Sequence, residues 1–342
     1  MKQALTQTNS YDYHLPDELI AKAPTMPKEE ARLLVYRREN GSIEHFKFKD
    51  LPDLIPQNTA IIFNDTKVIK ARLFGTKQSG GAREIMLNQP VGKNGTFSCY
   101  IKGRVKSGDI INLKNGINAE VLELFDDGLR VVRLIKNSKY LSTNEVLKAT
   151  DKIGIIPLPP YLKRDADTDD ESWYQSIFAK NKGAVAAPTA SLHFSNDLMK
   201  KISDKFKTAY ITLHVGAGTF KGVECEDIRE HTMHHESYFI PESTANIIKS
   251  DTPILGVGTT VTRTIEYYAR NGLKSGECDL FLNPLNPPIR QNFLLTNFHL
   301  PKSTLIMLVA GFVGLEQTKK IYATAIENGY RFYSYGDGMI VL

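Results

Sequence analysis

The chain has 342 residues, 42% of them hydrophobic and 24% charged, and a formal net charge of +5. This composition is typical of globular proteins and excludes a disordered chain, a collagen-like fibre and a small disulfide scaffold. The length predicts two domains. No apolar stretch reaches the roughly 20 residues that span a bilayer, and the first residues lack the apolar core of a signal peptide. Three scattered cysteines fit a reducing compartment, so we expect a cytoplasmic protein without contact to a membrane.

The first 66 residues predict a β-hairpin and a buried strand. The apolar run LLVY is followed by a turn at Asn40-Gly41 and by alternating residues, which is the pattern of a hairpin. The run TAIIFND, residues 59–65, is wholly apolar until its polar end. Such a run predicts a strand buried on both faces that leads into a functional loop.

Residues 67–151 have a different pattern. Short apolar runs recur about every 8 to 12 residues between turns rich in Gly, Asn and Asp, and no segment shows helical periodicity. This spacing is typical of a small antiparallel barrel or sandwich. We therefore predict an inserted β-barrel domain over residues 67–151, and a discontinuous α/β domain made of residues 1–66 and 152–342.

Strands and helices alternate over most of residues 152–342. The segment DESWYQSIFAK predicts a helix, and further helices alternate with the strands TAYITLHV and PILGVG. Alternation at this spacing predicts a Rossmann-like α/β sandwich with a largely parallel sheet. In such sheets the ligand crevice lies at the carboxyl ends of the strands.

Positive charge is concentrated in the predicted barrel. Between Thr66 and Lys114 there are ten Lys or Arg residues and only two acids, a net charge of +8. A compact basic region is the electrostatic footprint of a polyanion partner, although basic, solvated strand faces explain the same pattern. The candidate phosphate contacts here are Arg72, Lys77, Arg104 and Lys106.

Two predicted strands end in glycine and threonine. The first ends at His214 and continues into Gly216, Gly218 and Thr219. Glycines allow a close backbone approach to a ligand, but this is not the dinucleotide fingerprint, and a plain tight turn explains it equally well.

The second strand ends at Gly258-Thr259-Thr260, before a helix that carries Arg263. A helix start of this kind binds anions such as carboxylates, and Arg263 can add a bidentate contact. Capping of the helix is the alternative explanation.

Histidines cluster in the segment EHTMHHESY, which contains His231, His234, His235 and Glu236. Zinc binding, proton transfer near pH 7 and a surface cluster without a role are the three interpretations. The spacing is not that of a His-Glu-x-x-His helix and no cysteine pair supports it, so we predict no metal site.

Polar residues also precede the last helices and strands. TNFHLPKST contains Asn297, His299 and Lys302 beyond what helix capping needs, and AAPTASLHF leaves His193 near a helix start. The terminal YRFYSYGDG surrounds Asp337 with aromatic residues, which either stack on a nucleobase or pack in the core. Together the residues indicate a two-domain enzyme that binds a nucleoside-like ligand and a nucleic acid.

At these motifs the sequence resembles the bacterial S-adenosylmethionine:tRNA ribosyltransferase-isomerase family of queuosine biosynthesis. The resemblance rests on motifs in a fixed order along nearly the whole chain: YDYHLPDELIA, FNDTKVIKARLFG, IPLPPY, YQSIFA, GAVAAPTASLHF, ITLHVGAGTF, EHTMHHESY, VGTTVTRTIE, LLTNFHLPKSTLIMLV and YRFYSYGD. The family fold, an α/β domain with an inserted β-barrel, agrees with the predicted elements. Family members usually have glycine where this chain has Ser191, and Ser-Val where it has Val261-Thr262.

The resemblance implies an unusual transfer. S-adenosylmethionine serves as a ribosyl donor to 7-aminomethyl-7-deazaguanine at the wobble position of tRNA, adenine and methionine leave, and the ribose is rebuilt to give epoxyqueuosine. S-adenosylmethionine is then a co-substrate, no prosthetic group is needed, and we expect a monomer. The sulfonium acidifies the C5′ hydrogens, so a base of neutral pKa is needed.

With that chemistry the candidate residues take roles. The catalytic candidates are His214, His193, His234, Glu236, His299 and Asp337. The candidates for binding S-adenosylmethionine are Gly216, Gly218, Thr219, Gly258, Thr259, Thr260, Arg263 and Asn297. The candidates for binding tRNA are Arg72, Lys77, Arg104, Lys106 and Lys302. A tRNA-binding module without activity is the alternative, whereas a methyltransferase needs a Gly-x-Gly loop that FNDTKVIK does not provide.

Overall fold

The computed structural model describes residues 2–92, 94–220 and 222–342. The strands over these residues are β1 (Arg32–Arg37), β2 (Ser42–Lys47), β3 (Ala60–Asn64), β4 (Thr66–Val68), β5 (Arg72–Lys77), β6 (Ala82–Val91), β7 (Thr96–Lys102), β8 (Ile110–Asn112), β9 (Ile117–Leu124), β10 (Arg130–Lys136), β11 (Lys139–Tyr140), β12 (Asn181–Ala184), β13 (Lys207–Leu213), β14 (Glu236–Phe239), β15 (Ile254–Val257), β16 (Ser275–Cys278), β17 (Phe293–Asn297) and β18 (Gly338–Val341).

The α-helices over the same residues are α1 (Lys2–Thr6), α2 (Leu51–Leu54), α3 (Thr143–Ile153), α4 (Asp170–Trp173), α5 (Asn196–Lys205), α6 (Glu242–Lys249), α7 (Thr259–Asn271), α8 (Thr304–Val313) and α9 (Leu315–Glu327). None of the described helices combines the length and the hydrophobicity that a membrane span requires.

The larger sheet has nine strands in the order β16-β14-β13-β3-β15-β17-β18-β1-β2. Its central strands β13, β3, β15 and β17 are parallel, and β18 is parallel to β1. The other pairs are antiparallel, which makes the sheet mixed rather than largely parallel as predicted. Part of the reason is local, because β1 and β2 are joined by the predicted short turn, and a short turn can join only antiparallel strands.

Helices cover both faces of this sheet, so the fold-class prediction of an α/β sandwich is confirmed. On β3, Ile61 and Phe63 pack in one hydrophobic cluster with Ile202 of α5. The alternate residue Ile62 packs on the other face with Ile265 of α7. Burial on both faces explains why the central strands read as continuous apolar runs.

A small barrel is inserted in the chain after β4, as predicted. Strands β10-β7-β6-β5-β8-β9 form an antiparallel ring that the pairing of β9 with β10 closes, and β11 pairs with β10 outside the ring. The interior is filled by buried apolar side chains such as Leu73, Ile85, Phe97, Val121 and Leu134. All of these strands lie within residues 72–140, inside the range predicted for the insertion.

Residues 67–151, predicted to form a β-barrel domain without helical periodicity, also contain most of a helix. Helix α3 follows the barrel, and Val146 and Ile153 on it pack against the barrel core. Ser142 and Glu145 form a capping box at its start, in which the Ser142 N–H donates to Glu145 Oε2 at 2.8 Å. The capping box was a sequence signal for a helix. The segment has few apolar residues, which hid its periodicity.

Of the helix predicted over DESWYQSIFAK, only the single turn of α4 is helical. Gln175 follows it, and its side-chain amide makes two hydrogen bonds with the backbone of Val68 at the end of β4, at 2.9 and 3.1 Å. This tertiary contact holds the chain in a series of turns where a longer helix was predicted.

Candidate functional site

A cavity lies at the carboxyl ends of the central parallel strands. Its volume is about 690 Å³ with the open mouth included, and it is lined where β13, β15 and β17 end, at Val215, Gly258 and Asn297. Tyr161 and Tyr333 also line it, with ring centroids 4.5 Å apart. None of the described residues around it is Asp, Glu, Lys or Arg. This strand-end cavity is the crevice in which open α/β sheets bind ligands.

The start of helix α7 forms one wall of the strand-end cavity. Gly258 has φ +92°, a conformation that favours glycine, and its N–H donates to the Leu295 carbonyl at 2.7 Å. No side chain caps this helix, so the N–H groups of its first turn remain for a ligand or water. Thr259 and Thr260 line the cavity, and Thr260 Oγ1 accepts from Asn64 Nδ2 at 3.2 Å.

Asn297, at the end of β17, presents its amide to several acceptors. Its Nδ2 lies 3.1 Å from the Tyr333 carbonyl, 3.3 Å from the Asp337 carbonyl and 3.1 Å from His193 Nε2. Its Oδ1 is buried and has no hydrogen-bond partner among the described residues. The predicted ligand-binding residue therefore lines the cavity with one unused acceptor.

The two histidines next to this region are buried and uncharged near neutral pH. Burial, together with the positive charges of Arg331 and Lys28, lowers the pKa of His193 to about 3. Burial lowers the pKa of His299, which lines the cavity, to about 3 as well. Neither has the neutral pKa expected of the general base, and their catalytic roles stay predictions.

A second cavity, of about 400 Å³ with its open mouth included, adjoins the first and shares Leu305 with it. This charged cavity is lined by Glu236, Arg263 and His234, among others. Glu236 is ion-paired with Arg263 through Oε2 and accepts from the Gly216 N–H at 3.0 Å through Oε1.

Arg263 is fully engaged with the protein. Its Nε donates to the Leu280 carbonyl at 3.0 Å and its Nη2 to the Cys278 carbonyl at 3.1 Å, in addition to the Glu236 pair. Burial alone would lower the pKa of Arg263, but the Glu236 carboxylate raises it, so the guanidinium stays charged. The geometry does not leave Arg263 free for the carboxylate contact suggested by its sequence position.

The glycine-rich segment after β13 contacts the histidine cluster. A Cβ on Gly218 would lie 2.3 Å from Cδ2 of His234, so only glycine allows this close approach. Gly218 and His234 both line the charged cavity. Thr219 falls in a 3-10 turn, Ala217–Phe220, but its side chain lies outside what the structure describes.

His214 is placed apart from both cavities. It lines an open cleft together with Asp65, and its Nδ1 is 2.7 Å from Thr66 Oγ1. Burial lowers the pKa of His214, and the Asp65 carboxylate partly opposes this effect. Asp65 in turn accepts from Thr212 Oγ1 at 2.6 Å and from Asn181 Nδ2 at 3.0 Å.

Asp337 lines neither cavity and holds the backbone near the C-terminus. Its Oδ1 accepts from the Arg32 N–H at 3.0 Å and its Oδ2 from the Arg331 N–H at 2.8 Å. Because the Asp337 carbonyl also accepts from Asn297 Nδ2, the loop that Asp337 holds helps to fix the side chain of Asn297 in the cavity wall.

The predicted tRNA contacts differ in their charge environment. Arg72 is paired with Glu84 at 2.6 Å and with Asp165 at 2.8 Å, and Lys77 is paired with Asp109 at 2.7 Å. Lys302 is paired with Asp12 at 2.9 Å. Arg104 and Lys106 are exposed, and neither forms an ion pair with any described residue.

Arg104, Lys106 and Lys77 line an open groove on the barrel together with Arg130. This barrel groove carries four cations, three of which lie in the segment singled out by its sequence charge. Across the described part of the chain, His, Cys, Asp and Glu side chains do not come together in the groups of three that hold a metal ion.

Several residues that line the strand-end cavity were not predicted as site residues, because they come from separate segments of the chain. Tyr161, Tyr174 and Thr189 line the strand-end cavity with Ser334, and none was a candidate. Tyr161 and Tyr174 lie in IPLPPY and YQSIFA, two of the motifs that carried the family resemblance, which was the signal available.

Comparisons with known proteins agree along the whole chain. The family model described as "Queuosine biosynthesis protein" matches residues 8–341. An S-adenosylmethionine:tRNA ribosyltransferase-isomerase from Campylobacter concisus is 62% identical over 338 residues, covering 99% of each chain. The protein of the same name from Nitratiruptor is 56% identical and covers 98% of each chain.

A solved structure supports the fold. The crystal structure of S-adenosylmethionine tRNA ribosyltransferase from Thermotoga maritima is similar with a TM-score of 0.53 and 28% identity, covering 97% of this chain and all of the other. The barrel, the mixed sheet and the sequence matches agree, and the chain belongs to the queuosine biosynthesis protein family.

Proposed function

We propose that this chain is an S-adenosylmethionine:tRNA ribosyltransferase-isomerase that acts on 7-aminomethyl-7-deazaguanine at the wobble position of tRNA. It transfers and isomerises the ribosyl group to give epoxyqueuosine and releases adenine and methionine. The observation that carries the proposal is the match to relatives of that name over nearly the whole chain, together with an aromatic-lined cavity at the strand ends. S-adenosylmethionine is a co-substrate, no prosthetic group takes part, and the enzyme acts as a monomer.

The strand-end cavity suits the adenosyl part of S-adenosylmethionine. Tyr161 and Tyr333 line it with aromatic rings, which stack on bases and attract a cationic sulfonium. The first turn of α7, from Thr259, offers N–H groups to the methionine carboxylate. This contact replaces the predicted one to Arg263, whose side chain is bound to Glu236.

The charged cavity suits proton transfer. Its position beside the strand-end cavity supports His234 as the base that removes a C5′ proton, with Glu236 and Arg263 fixing the local charge. His193 and His299 act as neutral hydrogen-bonding groups in this scheme because their pKa values are about 3. His214 serves the reaction only if the tRNA base reaches its separate cleft.

The barrel groove suits the tRNA backbone. Arg104 and Lys106 are exposed and without ion pairs among the described residues, so they can neutralise phosphates at no cost in broken pairs. Binding through such contacts releases the salt cations that surround the tRNA phosphates. Because this release is less favourable at high salt, binding weakens as the salt concentration rises.

Release of adenine and methionine tests the function. The protein is incubated with S-adenosylmethionine and tRNA bearing the aminomethyl-deazaguanine base, with unmodified tRNA as the control. Equal amounts of both products with modified tRNA alone are expected. Salt-sensitive tRNA binding without either product would instead support the binding-module alternative.

Single alanine variants test which histidine takes the proton. His234→Ala is expected to lower the rate of adenine release by at least about 100-fold, the usual contribution of a general base. His214→Ala is the matched variant outside the charged cavity and is expected to have a smaller effect. The reverse order would move the reacting centre to the His214 cleft.

A further inference from the structure

The side-chain amide of Asn297 has only one orientation that its neighbours allow. Two of the groups around Nδ2 are the carbonyl oxygens of Tyr333 and Asp337, at 3.1 and 3.3 Å, and a carbonyl oxygen only accepts. A flipped amide would place Oδ1 against both oxygens. Nδ2 therefore faces the protein, and Oδ1 is an acceptor that cannot exchange places with it.

His193 is compatible with this orientation. Its Nε2 lies 3.1 Å from Asn297 Nδ2. Burial and nearby positive charge hold the pKa of His193 at about 3, so the ring is neutral, and the amide orientation fixed by the two carbonyls assigns its proton to Nδ1. The ring also stacks on Phe48 with centroids 4.0 Å apart, which limits its rotation.

The unused Oδ1 therefore indicates what the ligand must offer. Asn297 is 2% exposed and lines the strand-end cavity, and its Oδ1 has less than 1 Å² of accessible surface and no partner among the described residues. A ligand donor therefore reaches Oδ1 only when the cavity wall shifts slightly. A buried acceptor without a partner is unfavourable, so the ligand is expected to supply an N–H or O–H donor.

The surroundings favour a neutral donor on a flat ring. The cavity wall carries aromatic and small side chains and, over the described residues, no charged one. The ammonium group of methionine would gain no charged protein partner on this wall. Of the donors on S-adenosylmethionine, the 6-amino group of adenine fits an uncharged, aromatic-lined wall best.

We propose that Asn297 Oδ1 accepts a hydrogen bond from the 6-amino group of adenine and makes the enzyme selective for adenine over purines that lack this donor. The proposal rests on the proposed function, because it takes S-adenosylmethionine as the ligand. It assigns Asn297 to specificity rather than to proton transfer, since an amide neither gains nor loses a proton near neutral pH.

Unreactive analogues test the proposal on the intact enzyme. Binding is measured for S-adenosylhomocysteine, for its analogue with hydrogen in place of the 6-amino group, and for its 2′-deoxy and 3′-deoxy analogues. The analogue without the amino group is expected to bind about 10- to 100-fold more weakly, as when a site loses one specific buried hydrogen bond. Equal affinity, or a loss confined to the deoxyribose analogues, would overturn the proposal.

Two variants sharpen the test. Asn297→Ala is expected to reduce the affinity ratio between S-adenosylhomocysteine and the analogue without the amino group to about 1, a ratio that does not depend on the fraction of folded protein. Lys320→Ala changes an exposed residue of α9 outside both cavities and is expected to keep the wild-type ratio. A wild-type ratio in Asn297→Ala would contradict the assignment.

The outcomes also separate this proposal from the proposed reaction. If the enzyme binds the analogue without the amino group more weakly but releases no adenine from S-adenosylmethionine, the role of Asn297 stands and the proposed reaction is contradicted. If the enzyme releases adenine but binds both compounds equally, the reaction stands and the role of Asn297 is contradicted. Failure of S-adenosylhomocysteine to bind overturns the role of Asn297.

Discussion

The strand-end cavity and the barrel groove represent two ways of preparing a surface for a ligand. The cavity wall is uncharged over the described residues, and its polar groups are fixed, such as the Asn297 amide and the first turn of α7. The barrel groove is open and carries Lys77, Arg104, Lys106 and Arg130. The cavity can select a ligand by its hydrogen-bonding groups and its shape, whereas the groove selects mainly by charge.

Charged side chains near the strand-end cavity are buried and paired, whereas some on the barrel are exposed and unpaired within the described residues. Arg263 is buried and paired with Glu236 in the adjoining charged cavity, whereas Arg104 is exposed and unpaired within the described residues. Removing a buried charge should therefore affect folding, and removing an exposed one should affect binding alone.

Breaking the buried pair is expected to have the largest effect. Arg263→Met leaves the Glu236 carboxylate buried without its partner, which should destabilise the fold by about 3–5 kcal/mol. Urea denaturation measures the change. The double variant Arg263→Met, Glu236→Gln removes the isolated charge and should recover most of the loss, and a single variant as stable as the wild type would contradict the buried pair.

The two buried histidines predict a pH dependence of stability. Their folded pKa values, about 3, lie below the ordinary value of 6.5, so the unfolded chain takes up protons first as the pH falls. Their contribution is complete above pH 6.5 and is lost between pH 6.5 and 3, by about 2 kcal/mol for each histidine at pH 5. Denaturation of the wild type and of His299→Gln at pH 7.5 and 5.0 checks this, and the variant should show a smaller loss.

Removing exposed cations from the barrel is expected to have the smallest effect. Arg104→Gln with Lys106→Gln should weaken tRNA binding by about 10-fold and reduce the salt slope by about 1.5 to 2, with stability unchanged. Arg72→Gln with Lys77→Gln is the matched control, because those cations already pair with Glu84, Asp165 and Asp109. Equal slopes in both double variants would remove the distinction between paired and unpaired cations.

The repeating features of the fold could be predicted from the sequence. The hairpin at Asn40-Gly41, the apolar run of β3 and the barrel insertion each follow from local periodicity and turn residues. Helix α3 could not be found by periodicity, because its apolar face is short and gains its partner only from the barrel core. The path after α4 was set by Gln175 binding Val68, a contact between residues 107 positions apart.

The candidate site was predictable by position but not by role. Gly258 and Thr259 follow β15, and Asn297 ends β17. Strand ends meet at one edge of a parallel sheet, so their meeting in one cavity could be expected. The engagement of Arg263 with Glu236 depends on a pairing 27 positions apart, and the neutral state of His193 depends on burial. Sequence spacing carries neither kind of information.

The most direct measurement follows the ribose carbons of S-adenosylmethionine. The protein is incubated with S-adenosylmethionine that carries ¹³C in the ribose only and with tRNA bearing the aminomethyl-deazaguanine base, and the tRNA nucleosides are analysed by mass spectrometry. The proposed reaction predicts that all ribose label appears in the modified wobble nucleoside, while the released adenine and methionine are unlabelled. Wobble nucleoside of unchanged mass, with the label still in S-adenosylmethionine, would contradict it.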